Sequence, residues 1–494
     1  MCDVLVMGAG PAGLFAASEL ARRGVPVRIV ERELEPHRQV RASSIQARTI
    51  EILEAIGIHE AVLERGERMV ATVGYDESLN EIYRKPFHYA NTSYQHITVL
   101  PQWTTEELLV EECARHGVTV ERGITATVIE VDITHAVVTL EHGDGTIEHV
   151  RPTYLLDATG AHSQGRKAMH ESLEGGTYRG TFAVADCVLE TTLPRDSLSQ
   201  ITGSGTVFLF IPLPNDRWLV TVELEDGETE LLDEHLADLV FERSGRSTRV
   251  LETGWRSVFH AHHRMAGHLG DGRHFLLGDA GHLSSPCGGE GLNAALHDSF
   301  DIAWKLDLVM RGRAYPSLLD TYMVERSIAD EHVVQVSDLA HNASMAVARD
   351  PSSAGAPTDE VVVAAAVNAR FMLDVDYSPS PLVLADETDA LPRAGHRLRD
   401  WNLLGTTDHV LLVFGDVHSG QSLDDFAHRW GGLVEVRHEH PIAAEVAGMT
   451  GPGLLLVRPD GHVAARRLGT TEADFSALDS HLQQFLIPAP TQTA

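Results

Sequence analysis

Residues 3–31 read DVLVMGAGPAGLFAASELARRGVPVRIVE, and this stretch decides the fold. Asp3 to Met7 is a short apolar run of strand type, and Gly8 to Gly13 forms a tight turn. Leu14, Ala17, Leu20 and Ala21 then recur at helical spacing, and Gly24 stands where a helix end wants a left-handed residue. Val25 to Val30 is a second apolar strand, closed by Glu31. Strand, turn, helix and strand in this order make the opening βαβ unit of a doubly wound sheet. In the turn Gly8-Ala9-Gly10-Pro11-Ala12-Gly13, the first glycine permits the bend and the second lets a pyrophosphate approach the backbone. The third lets helix and strand pack closely. Unpaired N–H groups at the helix start present about half a positive charge to the phosphates. Glu31, 18 residues past Gly13, is placed to accept hydrogen bonds from ribose hydroxyls. The unit predicts a dinucleotide site without deciding between FAD and NAD.

Working outward, 494 residues are too many for one ordinary core and suggest roughly three domains. A formal charge of −32 argues against nucleic acid or an anionic membrane as partner, because phosphates would repel it. The four cysteines, Cys2, Cys113, Cys187 and Cys287, include no pair at metal or redox spacing, which fits a reducing, cytoplasmic setting. The N-terminus lacks the basic start and longer apolar run of a secretory signal. No segment approaches the roughly 20 apolar residues that span a bilayer.

From Val118 to Leu156 the pattern changes to alternating strands, and a second β-rich stretch runs from about Tyr178 to Phe259. Within it, the tetrapeptide PNDR separates two apolar runs and predicts a hairpin turn. HFLLGDAGH is a strand entering a glycine-rich turn, and a long helix follows with Leu292, Leu296, Phe300, Ala303 and Leu306 at core-facing spacing. ARDPSSAGAPTDE, at 348–360, has linker composition, and beyond it strand-like runs suggest a small α/β module.

A second motif decides the nature of the dinucleotide. Gly278-Asp279-Ala280-Gly281-His282 ends the apolar strand, and Pro286-Cys287-Gly288-Gly289-Glu290-Gly291-Leu292-Asn293 leads into the long helix. Asp279 suits a second set of sugar-type hydroxyls, those of a ribityl chain. The helix start at Gly291 to Asn293 points its dipole at an electron-rich ring edge, as a reduced flavin presents. With GAGPAG and Glu31, RASSIQARTIEIL (41–53), QWTTEELL (102–109) and GDAGHLSSPCGGEGLNAALHDSFDIAWKL (278–306), the chain resembles the class A flavoprotein monooxygenases. This is the p-hydroxybenzoate hydroxylase (PHBH) family, in the branch that tailors aromatic polyketides.

The resemblance implies an α/β fold: a PHBH-type, Rossmann-like FAD-binding domain with an inserted antiparallel β-sheet substrate domain and a C-terminal thioredoxin-like α/β domain. The expected boundaries are 1–175 and 276–345 for the FAD-binding domain, 176–275 for the substrate domain and 346–389 for a linker or helical connection. The thioredoxin-like domain covers 390–487 and a disordered tail 488–494. That domain contains no cysteine, which excludes dithiol chemistry and leaves a structural or dimer-supporting role. By the same resemblance Gly8, Gly10, Gly13 and Glu31 bind the AMP half of FAD, and Arg41 and Gln102 contact its phosphate or ring side. Asp279 meets the ribityl or diphosphate region, Gly291, Leu292 and Asn293 lie along the isoalloxazine, and Pro286 lines the face where the reduced ring meets oxygen. Pro11, Ala12, Arg32 and Gly289 complete the implied cofactor set.

One departure stands out. The family's Asp-Gly pair, in a segment ending near Arg-Ser, helps hold FAD and the pyridine nucleotide. Here Tyr154 to Ser163 reads YLLDATGAHS, with Thr159 where the acid is expected and His162 in place of the arginine, although Arg166 follows. This puts contact with NAD(P)H in question and leaves open whether Asp157 compensates. No metal is expected: in the cluster His260, His262 and His263 only His260 and His262 share a strand face, and that pair, like His438 and His440, lacks a third ligand. Cys287 reads as a packing residue.

The implied function is NAD(P)H- and O2-dependent hydroxylation of an aromatic or polycyclic small molecule, by either NADPH or NADH. In this family oxygen adds at flavin C4a and the distal oxygen of the hydroperoxide is delivered, while the protein orients the partners and excludes water. No catalytic base is legible. Baeyer–Villiger insertion or epoxidation uses the same scaffold. A flavin dehydrogenase or reductase and a non-catalytic flavin-binding protein are the readings from other classes. A monomer and a homodimer are equally compatible with the sequence.

Overall fold

The computed structural model describes residues 3–488 except 41, 89–91, 132–135, 204, 205, 225–232, 245, 286–288, 350–365, 386–391, 399–402, 404, 405, 440–447 and 450. Arg41, Pro286, Cys2, Cys287, His440, most of the 348–360 linker and nearly all of the tail thus lie outside the described residues. Strand β1 (Val4–Met7) is buried along its whole length because both of its faces are covered. Val4 and Val6 share a core with helix α1 (Pro11–Arg22), while Leu5 and Met7 pack against the three-stranded sheet that includes Ile124, Val138 and Leu140. β1 pairs in parallel with β2 (Val27–Glu31) on one side and Tyr154–Asp157 on the other. His274–Leu276 and Val120–Arg122 extend the parallel sheet at its two edges. A fully covered parallel sheet explains why these strands read as continuous apolar runs.

A second sheet has eight strands, in the order His282–Leu283, Arg249–Ala266, Leu173–Glu190, Arg217–Leu224, Thr206–Leu213, Ser197–Gly203, Ala71–Tyr75, Glu81–Pro86. The PNDR turn joins two of these strands, with Asn215 and Asp216 both in the left-handed region (φ 61° and 59°) that such turns require. The sheet differs from the antiparallel insertion expected from sequence in being mixed. Ala71–Tyr75 comes from an earlier part of the chain and pairs in parallel with Ser197–Ile201. Only hairpin-linked neighbours must run antiparallel, and these two strands share no hairpin.

The central helix, Gly291–Met310, is buried from Leu292 to Leu308. It lies between α1, the outer helix Asp320–Arg349 and the C-terminal module. That module has the strand order Val434–Glu439, His409–Phe414, Gly453–Val457, Val463–Arg467, with the first two parallel and the others antiparallel. Helices Gly420–Trp430 and Glu472–Leu482 complete the thioredoxin-like arrangement. Among the described residues no helix is long and apolar enough to cross a membrane.

Ions as well as apolar contacts dock the module. Lys305 Nζ lies 2.7 Å from both Asp301 and Glu325, and the Arg458 guanidinium bridges Glu325 and Asp460. Arg48 donates to the Asp460 carbonyl at 2.6 Å, and Arg397 lies 3.0 Å from Glu51. In the first of these clusters three carboxyls face two cations, and burial pushes Asp301 up to about 7 against the pull of Lys305 and Arg458. Removing one partner of a buried pair strands the others, which costs about 3–5 kcal/mol. Arg458→Ala is therefore expected to lower stability by about that amount, read from the urea midpoint.

Candidate functional site

The turn after β1 is built around two steric constraints. Gly8 has φ +95°, and a Cβ there would sit 2.4 Å from the Ala158 carbonyl oxygen. A Cβ on Gly13 would sit 1.9 Å from the Gly8 carbonyl oxygen, so the first turn of α1 rests directly on the loop. Gly10 is the opposite case, because a Cβ there would meet nothing within 4 Å. The backbone at the start of α1 is thus open to a bulky neighbour, and Gly10 offers no side-chain cap. Glu31 is held against the turn, its Oε2 accepting from the Ala9 N–H at 2.7 Å and its Oε1 from the Glu33 N–H at 3.0 Å. Pro11 and Ala12 form the first helical turn, whereas Arg32 is exposed and pairs with Glu33 at 3.2 Å.

The second wall gathers residues far apart in sequence. The Gln102 N–H donates to the Ala42 carbonyl at 2.9 Å, which brings helix Gln102–Arg115 beside the segment that Arg41 precedes. The Gln102 side chain itself turns to Glu106, 2.8 Å away. Asn293 is fully buried and acts as a staple. Its Nδ2 donates to the Ser44 and Gly289 carbonyls at 2.9 and 2.8 Å, and its Oδ1 accepts from the Gln46 N–H at 2.9 Å. Gly289, Gly291, Leu292 and Asn293 therefore converge at the N-terminus of the central helix, as the motif predicts. Ser299 donates to the Ala12 carbonyl at 2.8 Å and locks that helix to α1.

Asp279 is exposed at the sheet end, in the turn Gly278–Ala280. A buried set that the sequence reading missed fixes this turn. Asp298 Oδ2 accepts from the Gly278 N–H and approaches His282 Nε2, both at 2.8 Å, and Arg326 spans Asp298 and Asp330 at 2.6 and 2.7 Å. Burial alone would push His282 down, but Asp330 and Asp298 overcome it and raise the imidazole to about 9. The only sequence signal was acid and base at i, i+4 inside apolar helices, which usually marks a solvated face. This cluster, like Asp301, Glu325 and Asp460, has the spacing of a cation site, but the side chains of Arg326, Lys305 and Arg458 already supply positive charge to the two sets.

Asp157 is fully buried and accepts from the Thr159 N–H, the Thr159 hydroxyl and the Ser163 hydroxyl at 2.9, 2.6 and 2.7 Å. Its oxygens are thus engaged within the loop. Arg166 donates to the Ala280 and Ala161 carbonyls, both at 2.7 Å, tying this loop to the Gly278 turn.

Over the site, strand alternation divides the large sheet. Phe208, Phe210, Val220 and Val222 pack on one face with Leu236 and Val240, whereas Leu209, Ile211 and Leu219 join Phe371, Leu373 and Phe259 on the other. The outer helix contributes His341, whose ring stacks on Tyr178 at 3.9 Å and whose Nδ1 lies 3.4 Å from Ser285 Oγ.

Comparison with known proteins agrees with this geometry. Residues 1–337 match the FAD binding domain family, and residues 388–489 match the aromatic-ring hydroxylase C-terminal family. The chain is 31% identical to 6-methylpretetramide 4-monooxygenase of Streptomyces rimosus, over 95% of this chain and 92% of that one. It is 30% identical to rifampicin monooxygenase of Streptomyces venezuelae, over 94% and 95%. Among solved structures, the anhydrotetracycline hydroxylase of Streptomyces rimosus superimposes with a TM-score of 0.79 at 27% identity, covering 99% of each chain.

The His282 cluster yields a pH test. Its raised proton affinity contributes stability that is complete below about 6.5 and is lost as pH rises through about 9. His282→Gln is expected to cost about 3 kcal/mol at pH 6. Thermal melts should show the deficit relative to wild type closing by about pH 10.

Proposed function

The chain belongs to the FAD-binding aromatic-ring hydroxylase family, and on that premise we propose that it hydroxylates a polycyclic, polyketide-like aromatic molecule with NAD(P)H and O2. It is a FAD-dependent aromatic monooxygenase, and bound FAD supplies two-electron reduction by the nucleotide followed by activation of oxygen. The observation that carries the site is the pair of helix N-termini that converge on it. One is opened at Gly10, where no atom lies within 4 Å of a notional Cβ, and the other is fixed by Asn293.

In this reading the turn Gly8, Gly10 and Pro11 lets the pyrophosphate approach, Ala12 and Gly13 present helix-start N–H groups to it, and Glu31 takes the adenosine ribose. Arg32 and Arg41 flank the adenosine and phosphate side, and Gln102 lies beside the segment that Arg41 precedes. Asp279, held out by the Asp298–Gly278 bond, meets the ribityl chain. Gly289, Gly291, Leu292 and Asn293 lie along the ring, whose negative charge on reduction the helix dipole favours. Pro286 lines the oxygen face. The apolar face carrying Leu209, Ile211, Leu219 and Phe259 covers the ring and accepts a flat apolar substrate while keeping water out. Fused-ring substrates are favoured because the two Streptomyces rimosus relatives are named for 6-methylpretetramide and anhydrotetracycline.

The purified protein should carry the flavin absorption bands, which bleach anaerobically on addition of NADPH or NADH, with or without substrate. Incubation with fused-ring phenols in air should give a product heavier by one oxygen, and NMR of the product separates ring hydroxylation from insertion or epoxidation. A colourless protein that takes up no added FAD overturns the reading. Gly10→Val is expected to weaken FAD binding about a hundredfold, about 2.7 kcal/mol. Its apoprotein should melt as the wild type does, since the new side chain enters open space.

A further inference from the structure

Glu290 directly precedes the central helix, yet its side chain does not cap that helix. The residue is 1% exposed, and neither carboxyl oxygen has a hydrogen-bond partner among the described residues. Every other buried acid among them, from Glu19 to Asp460, accepts at least one hydrogen bond or pairs with a cation. Buried carboxyls are paired almost without exception in folded proteins, so an isolated one at a ligand-facing helix end points to a job in the loaded site.

Two charges act on it from neighbouring elements. One is Arg370, at the end of the helical stretch 366–370, which also acts on Lys85 and Tyr83 of the sheet edge. The other is His332 of the outer helix, itself 3.2 Å from Asp374. Neither is within bonding distance of the Glu290 carboxyl among the contacts of the structure. Burial outweighs both and pushes the acid up to about 7. It is therefore poised to change charge near neutral pH.

We infer that Glu290 takes up a proton when the flavin is reduced, so that its carboxyl is neutral whenever the ring is anionic. This rests on the reading above that the start of the central helix holds the ring. The balance is simple. A hydride from NAD(P)H brings two electrons and one proton to the oxidised ring and leaves it with one negative charge. A second proton passes from solvent to the Glu290 carboxylate. On reoxidation by O2 the ring loses its charge and Glu290 releases that proton. An ionised Glu290 would oppose the helix dipole that favours the reduced ring, and protonation removes the opposition. Linkage makes the effect reciprocal: reduction raises the proton affinity of Glu290, and protonation favours reduction.

The test is the flavin potential of the full-length holoenzyme, measured anaerobically by dye equilibration from pH 6 to 9. For a two-electron couple, each proton taken up makes reduction tenfold less favourable per pH unit, about 30 mV. Wild type should follow the one-proton line below about pH 7 and twice that slope above it. Glu290→Gln should stay on the one-proton line throughout, while Glu290→Asp, which keeps the acid, should retain a break. With the flavin reduced at an electrode through a mediator, so that only electrons are supplied, an indicator dye in weakly buffered wild type at pH 8 should count two protons per flavin reduced. One proton per flavin, or a break that survives in Glu290→Gln, overturns the inference. A wild type that binds no FAD overturns instead the site reading on which it rests, and the visible spectrum distinguishes the two failures.

Discussion

A helix buried on every side must find a partner for each polar side chain it carries, and the central helix is in that position from Leu292 to Leu308. Its polar residues radiate outward and fix the surrounding pieces. Asn293 holds the 44–46 and 289 backbones, Asp298 holds the Gly278 turn, Ser299 holds α1, and Asp301 with Lys305 reaches towards the C-terminal module through Glu325 and Arg458. Among the described residues, Glu290 just before its start and the Trp304 indole N–H are exceptions. One rod thus sets the relative positions of the nucleotide turn, the motif loop and the appended module. Because each bond is buried, breaking one strands a polar group at full desolvation cost, which keeps the arrangement single.

The large sheet solves a different problem. A sheet with apolar side chains on both of its faces must find apolar partners for both. Alternation along Thr206–Leu213 supplies both: Phe208 and Phe210 pack with Leu236 and Val240, and Leu209 and Ile211 pack on the opposite face with Phe371 and Leu373. Recruiting Ala71–Tyr75 and Glu81–Pro86 from before the insertion ties the sheet to the nucleotide-binding part at a second place.

The loop after Tyr154–Asp157 shows how a motif can change without losing its fold. Thr159 replaces the customary acid, and its hydroxyl and N–H are both given to Asp157. Arg166 closes the loop onto Ala280. Local geometry is therefore secured from within, and the surface at 159 carries a neutral side chain where the family carries a charged one.

By itself the sequence determined everything whose cause is local. The βαβ opening follows from residues within one turn or one period of each other: glycines that alone fit the contacts at Gly8 and Gly13, an apolar strand, a helical stripe and a terminal acid. The PNDR hairpin and the four-stranded module were legible for the same reason, as was the second motif at 278–293. Only the tertiary structure decided which distant charges meet. Asp298, Asp301 and Lys305 sit on the helix at spacings that suit a solvated face, and nothing local says that Arg326 or Glu325 will cover them. The parallel entry of Ala71–Tyr75 was hidden too, since a strand's partner is fixed by where the chain returns. Glu290 stands in the second motif, but no local feature tells it from its neighbours. Its isolation is a property of what surrounds it, and burial without a partner exists only once the chain has folded.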